Sequence, residues 1–217
     1  MRKLAAAIQM TLDGVMQAPG GPDEDPTGGF ELGGWAFGYF DDTLGQHAAE
    51  GFSRPFEVVL GRKTYEIFAA HWPHSEGPIA DRLNSATKHV ASRTLNSLEW
   101  ANSRLIEGDV AAAVARLKEE DGPELQVIGS SDLLQTLLAN DLVDELRLWI
   151  FPVLAGSGKR AFGDGAIPAG LELMSSSTTG TGVIIATYER AGEIKKGSFA
   201  LEEPTEAELE RREALED

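Results

Sequence analysis

Short, nearly unbroken apolar runs alternate along this chain with stretches whose apolar residues recur every three or four positions. Residues 4–10, 57–60, 89–92 and 126–128 are runs of the first kind. They are too short for ordinary helices and largely lack polar alternation, so they predict strands buried on both faces, as in a parallel sheet. Helical spacing lies between them, at 41–52, 64–70, 79–85, 110–118 and 133–139. Several of these stretches follow a residue suited to capping, such as Asp109 or the group Ser130, Ser131 and Asp132. After residue 141 the rhythm changes. A long strand is predicted over 143–153, broken by Pro152 and the run AGSGK, and two further strands over 171–176 and 183–188 have little helix between them. Strands connected so directly pair antiparallel. The prediction is an α/β fold: three layers, α/β/α, around a mostly parallel sheet with an antiparallel C-terminal hairpin. One domain is expected over 1–191, followed by an acidic tail, 192–217, in which Thr205 and Glu208 form a capping box for a short helix. The segment from Gly14 to Gly38 lacks periodicity and is rich in Gly, Pro and Asp. A loop of that length in a compact domain is a lid or an insertion. Its aromatics, Phe30, Trp35 and Phe37, with Tyr39 just beyond, either cover a flat ligand or anchor the loop to the core.

Composition narrows the functional classes. The 217 residues carry 35 acidic and 19 basic side chains, a net charge of −16. Such a balance disfavours a nucleic-acid partner, which needs clustered Lys and Arg. There is no cysteine, which removes disulfides and thiolate metal sites. No apolar run is long enough to span a membrane, and the N-terminus reads as a first strand, so a cytoplasmic location is expected. His71 and His74 lie together in AHWPH with no third ligand evident, and no metal is expected. In so acidic a chain an anionic ligand needs local cationic islands, so the few Lys and Arg residues are informative.

Three strand-to-helix turns could form such islands. Gly61, Arg62, Lys63 and Thr64 join a strand to a helix, where free N–H groups and the positive helix end face the turn. Ser92, Arg93 and Thr94 place two hydroxyls around a guanidinium, a grouping that suits a phosphate monoester such as the 2′-phosphate of NADPH. Gly129, Ser130 and Ser131 end a strand where a glycine lets a pyrophosphate approach the backbone. Each turn is also readable as a plain capped helix start or polar turn. Gly156–Ser157–Gly158–Lys159 is not a P-loop, since that motif requires Gly and Ser or Thr where Val153 and Arg160 stand.

Taken in order, the first strand ending in Thr11–Leu12–Asp13–Gly14, then LGRKTYE, KHVASRTL and the block LQVIGSSDLLQTLLANDLVDELRLWIFPVLAGSGKRAF resemble the dihydrofolate-reductase-like superfamily. Within it the chain is most similar to the reductase domain at the C-terminal end of the riboflavin-biosynthesis deaminase–reductase. The resemblance implies an NADPH site across the C-terminal ends of the strands and hydride transfer to a planar heterocycle, as in 5-amino-6-(5-phosphoribosylamino)uracil reductase. It implies that Gly61, Arg62, Lys63 and Thr64 hold cofactor phosphates and that Ser92 and Arg93 face the 2′-phosphate. Gly129, Ser130, Ser131 and Leu133 would line the pyrophosphate and nicotinamide, Ala6 and Ala7 would meet the carboxamide, and Gly14 would sit beside the nicotinamide. Asp13 and Asp41 are the candidate proton-delivering acids, and Trp35 and Tyr39 the candidate substrate contacts. Close relatives imply a homodimer through the late strands. A dihydrofolate or pterin reductase and a non-catalytic nucleotide-binding module on the same fold are the alternatives.

Overall fold

The computed structural model describes residues 1–163, 166–200 and 203–215, so the tail is described apart from 201–202 and 216–217. Eight strands form one sheet in the order β4-β3-β2-β5-β1-β6-β8-β7. They are β1 (Leu4–Thr11), β2 (Phe56–Gly61), β3 (Lys88–Ala91), β4 (Ser103–Leu105), β5 (Glu124–Ile128), β6 (Glu145–Phe151), β7 (Leu171–Thr178) and β8 (Ile184–Arg190). The first six in that order run parallel, β8 is antiparallel to β6, and β7 and β8 form the closing hairpin. The helices are α1 (Asp42–Gly51), α2 (Arg62–His71), α3 (Pro78–Ser85), α4 (Val110–Glu119), α5 (Ser131–Ala139) and, in the tail, α6 (Glu206–Glu213). The α/β architecture with its antiparallel end matches the pattern read from the sequence.

Alternation along the strands separates two cores. Val59, Leu125, Val127, Ala6 and Ile8 face Val114 of α4 and Leu134 and Leu137 of α5. Their neighbours Val58 and Leu60 point the other way, onto Tyr65 of α2 and Leu83 of α3. Burial of a Val or Leu side chain contributes about 1.5–3 kcal/mol, so these opposed apolar sets hold helices on both faces.

Three local differences from the predicted elements have physical causes. Strand β4 escapes pattern reading because it is three residues long, polar at two of them, and lies at the sheet edge. Strand β3 begins at Lys88, whose charge masks a fully buried strand position. The predicted strand 143–153 contracts to Glu145–Phe151, ahead of Pro152. The tail helix follows its predicted cap, with Thr205 Oγ1 accepting from Glu208 N at 3.3 Å.

The long loop is an ordered structure. Trp35 Nε1 donates to the Gln17 carbonyl at 2.7 Å, and its ring meets Phe151 edge-on at 5.2 Å. Tyr39 packs on the same ring at 6.1 Å, and its carbonyl accepts from Thr181 Oγ1 at 2.7 Å. Phe30 is buried beside Val15 and Ala18. For Phe30, Trp35 and Tyr39 the packing supports anchoring to the core, whereas Phe37 is exposed.

Candidate functional site

A cavity of about 1310 Å³ opens over the C-terminal ends of β2, β3 and β5 and along one face of β1, β6 and β8. Its wall includes Ala7, Gly61, Arg62, Lys63, Thr64, Ser92, Arg93, Gly129, Ser130, Ser131 and Leu133. The three turns singled out in the sequence therefore converge on one space, as the ligand crevice of an open α/β sheet requires.

Two of the helix starts at this cavity, those of α2 and α5, lack a side-chain cap. Asp41, Asp109 and Thr205 cap α1, α4 and α6 by accepting backbone N–H bonds through their side chains. Helices α2 and α5 have no such bond at Gly61 or Ser130. The Ser130 hydroxyl instead accepts from Gly61 N at 2.8 Å, tying the two helix starts together. Gly129 and Ser130 both adopt positive φ, at 64° and 61°. Left-handed backbone at a non-glycine residue costs roughly 1–3 kcal/mol and is held only by its surroundings. The turn thus presents uncapped N–H groups and the positive ends of two helix dipoles to the cavity. Arg93 is exposed at the rim and makes no ion pair among the described residues, whereas Arg62 pairs with Glu66 at 3.0 Å. Ser92 Oγ accepts from Leu95 N at 3.0 Å and shapes its turn.

Six of the predicted residues do not line this cavity: Ala6, Asp13, Gly14, Trp35, Tyr39 and Asp41. Asp13 accepts from Thr11 Oγ1 at 2.6 Å, Ala155 N at 3.0 Å and Gly156 N at 2.8 Å. These bonds, the Thr11 hydroxyl foremost, hold its carboxyl down to about 2. It is an ionised clasp for the 155–160 loop, not a proton store. Asp41 Oδ1 accepts from Leu44 N at 2.9 Å and caps α1. Gly14, with φ of 84°, makes the turn that lets Ala161 N reach its carbonyl. Trp35 and Tyr39 anchor the loop as described above. Ala6 points to the buried core, and only Ala7 reaches the cavity.

The remaining wall had not been singled out. Gln9 on β1, Gln126 on β5, Arg147 and Trp149 on β6 and Thr187 on β8 share one face and line the cavity. Polar residues inside otherwise apolar strands were their signal. Arg147 is neutralised by Glu124, at 2.8 and 2.6 Å, and by Glu145. From the long loop, the segment 16–20 with Glu24 and Asp25 closes another side. Glu24 Oε2 accepts from Gly20 N at 2.6 Å and Gly21 N at 3.2 Å. Burial nevertheless raises its carboxyl above the usual range. Lys159, from the run set aside as a failed P-loop, completes this side of the wall.

A family model of the RibD C-terminal domain matches residues 2–185. The chain belongs to the RibD C-terminal domain family. Among curated proteins it is 27% identical over 200 residues to the uncharacterized protein YyaP of Bacillus subtilis (strain 168), covering 88% of this chain and 96% of that one. It is 31% identical over 101 residues to the uncharacterized protein YwjB of the same strain, covering 46% of this chain and 55% of that one. The fold is shared with solved structures, among them the following two. One, from Shewanella sp. PV-4 and described as a riboflavin biosynthesis protein, superposes with a TM-score of 0.61 at 22% identity, covering 88% of this chain and 99% of its own. The other, a pyrimidine reductase-like protein from Corynebacterium diphtheriae, gives 0.57 at 13% identity, with 88% and 93% covered. The reductase-like assignment and the dihydrofolate-reductase-like fold follow from this membership. Among the described residues, no helix is long and apolar enough to cross a membrane.

Proposed function

We propose that the protein is an NADPH-dependent reductase acting on a planar heterocycle of the pyrimidine or pterin kind. The observation that carries this reading is the pair of tied, uncapped helix starts at Gly61 and Ser130, facing one cavity with Arg93 at its rim. Gly61, Lys63, Thr64, Gly129, Ser130 and Ser131 would hold the cofactor phosphates, and Ser92 and Arg93 the 2′-phosphate, through backbone N–H groups and charge. A bound NADPH supplies hydride; the protein supplies orientation and a dry site. The Gln9, Gln126 and Thr187 side chains offer donors and acceptors to the edge of a heterocycle, beside the Trp149 ring. Segment 16–20 shuts water out. Glu24, on the cavity wall and with its carboxyl raised by burial, takes the place of Asp13 and Asp41 as the candidate proton-delivering acid.

Fluorescence titration with NADPH and NADH tests the reading. NADPH is expected to bind at micromolar concentration and NADH more weakly; the reading fails if neither binds below about millimolar. Arg93→Ala should reduce the preference for NADPH about tenfold, the scale of one charge-assisted phosphate contact of roughly 1.4 kcal/mol. An unchanged NADPH-to-NADH ratio removes Arg93 from that role.

A homodimer is part of the same proposal. Strand β7 is a sheet edge eight residues long that leaves Leu171, Leu173 and Met174 exposed. Unprotected edges of this kind are rarely left to solvent. Sedimentation velocity should give a dimer, and Leu173→Lys should shift it to monomer.

A further inference from the structure

Two lysine ammonium groups meet on the cavity wall against the Asp25 carboxylate of the long loop. Lys159 pairs with Asp25, and its Nζ also donates to Thr27 Oγ1 at 3.0 Å. Lys63 Nζ, from the first turn of α2, donates to the same hydroxyl at 3.3 Å. Thr27 Oγ1 in turn donates to Asp25 Oδ1 at 2.5 Å. The hydroxyl then has its one proton and both lone pairs in use, so it can compensate no further charge. At hydrogen-bonding distance the two cations share one carboxylate, Asp25, while the Asp132 carboxylate acts on Lys63 from further away. The strain is legible in Lys63, whose ammonium is held below the usual lysine range chiefly by Lys159 beside it, with burial adding to the effect. Lys63, Lys159 and Asp25 all line the cavity.

The Asp25 carboxylate is held by these side chains and by the Thr27 N–H, which donates to its Oδ1 at 3.3 Å. Gln17 is buried, and its Nε2 donates to the Asp25 carbonyl at 2.9 Å and the Thr27 carbonyl at 2.8 Å. Its Oε1 accepts from Lys159 N at 3.0 Å. The backbone of both partners is thereby fixed while the side chains alone make the ion pair. A rotation of the Asp25 side chain would open the space between the ammonium groups without unfolding the loop.

We propose that Lys63 and Lys159 form a subsite for a phosphate-class dianion, and that Asp25 occupies it in the unliganded chain as an internal competitor. A dianion between the two ammonium groups meets both at once, where the Asp25 carboxylate pairs with Lys159 alone. The phosphate could come from a dinucleotide cofactor or from a phosphate monoester on the second substrate. Only the first of these sources rests on the NADPH reading.

Isothermal titration of the full chain with inorganic pyrophosphate tests the subsite. Asp25→Asn removes the competitor's charge and keeps its shape, and is expected to tighten pyrophosphate binding about fivefold, the worth of a partly buried ion pair of roughly 1 kcal/mol. Lys159→Met should weaken it by at least a similar factor. Thermal melting of both variants establishes that they are folded, and Lys159→Gln serves if the Met variant is not. Binding that is unchanged or weaker in Asp25→Asn, or absent from wild type and variant alike, overturns the proposal. Repeating the titration with NADPH present identifies the source: loss of the pyrophosphate signal assigns the subsite to the cofactor, and persistence assigns it to the second substrate. A chain that shows the Asp25→Asn effect but binds no NADPH keeps the subsite and loses the cofactor reading. The reverse result keeps the cofactor and loses the subsite.

Discussion

Gly158→Ala is expected to destabilise the protein by roughly 3 kcal/mol or more, from overpacking together with strained backbone. Gly158 has a φ of 127°, a conformation that L residues rarely adopt. A Cβ there would lie 2.7 Å from Val15 Cγ1 and 3.0 Å from Phe30 Cε2. Both neighbours are buried, in the cluster that anchors the long loop, so neither can withdraw cheaply. The loop 155–160 would have to shift, and Lys159 with it. Two readouts should therefore fall together: the urea midpoint, and the affinity for whatever anion Lys159 contacts. Gly156→Ala is the control. That glycine also has positive φ, 74°, but open space around it, so its cost is about 1 kcal/mol. Equal effects from the two substitutions would refute the packing argument.

Lys88→Met is expected to cost about 2 kcal/mol, because it leaves buried carbonyls without a donor. Lys88 is fully buried, and its Nζ donates to the Asn84 carbonyl at 2.8 Å and the Ala101 carbonyl at 2.9 Å. It lies 4.1 Å from the centre of the Trp100 ring, where a cation is attracted to the π face. It stitches the C-terminal end of α3, the segment before β4 and the start of β3. Burial pushes its ammonium down from 10.5 to about 8. The unfolded chain then binds more protons than the folded one between those values, so this group makes stability rise as pH increases from about 8 to 10.5. Denaturation curves across that window should show the rise in the wild type and its absence in Lys88→Met. A flat wild-type profile would mean that Lys88 titrates normally.

The fold was largely legible because its signals are local. Continuous apolar runs, helix caps such as Asp109, and a hairpin with no helix between its strands each report on a few adjacent residues. The convergence of three turns on one cavity was legible for the same reason, since the turns at Gly61, Ser92 and Gly129 sit where strands end. The acids were misread because the role of a carboxylate depends on partners far away in the chain. Asp13 is consumed by Ala155 and Gly156, and Asp41 by the helix it opens. Glu24 carries no mark in the sequence beyond its place in a glycine-rich loop; only folding buries it against Gly20 and Gly21. Lys159 was passed over because the surrounding run was tested against one motif, and its partner Asp25 lies 134 residues away. The opposite face of the cavity needed strand register, which places Gln9, Arg147 and Thr187 side by side.

The bond from Gly61 to the Ser130 hydroxyl has a kinetic consequence. It joins two turns from distant parts of the chain, so this side of the cavity is organised before any ligand arrives. Arrival is then governed by charge and diffusion, and departure is expected to depend on the adjoining wall, the segment from Met16 to Asp25. Changes in that segment should therefore alter residence time far more than association rate.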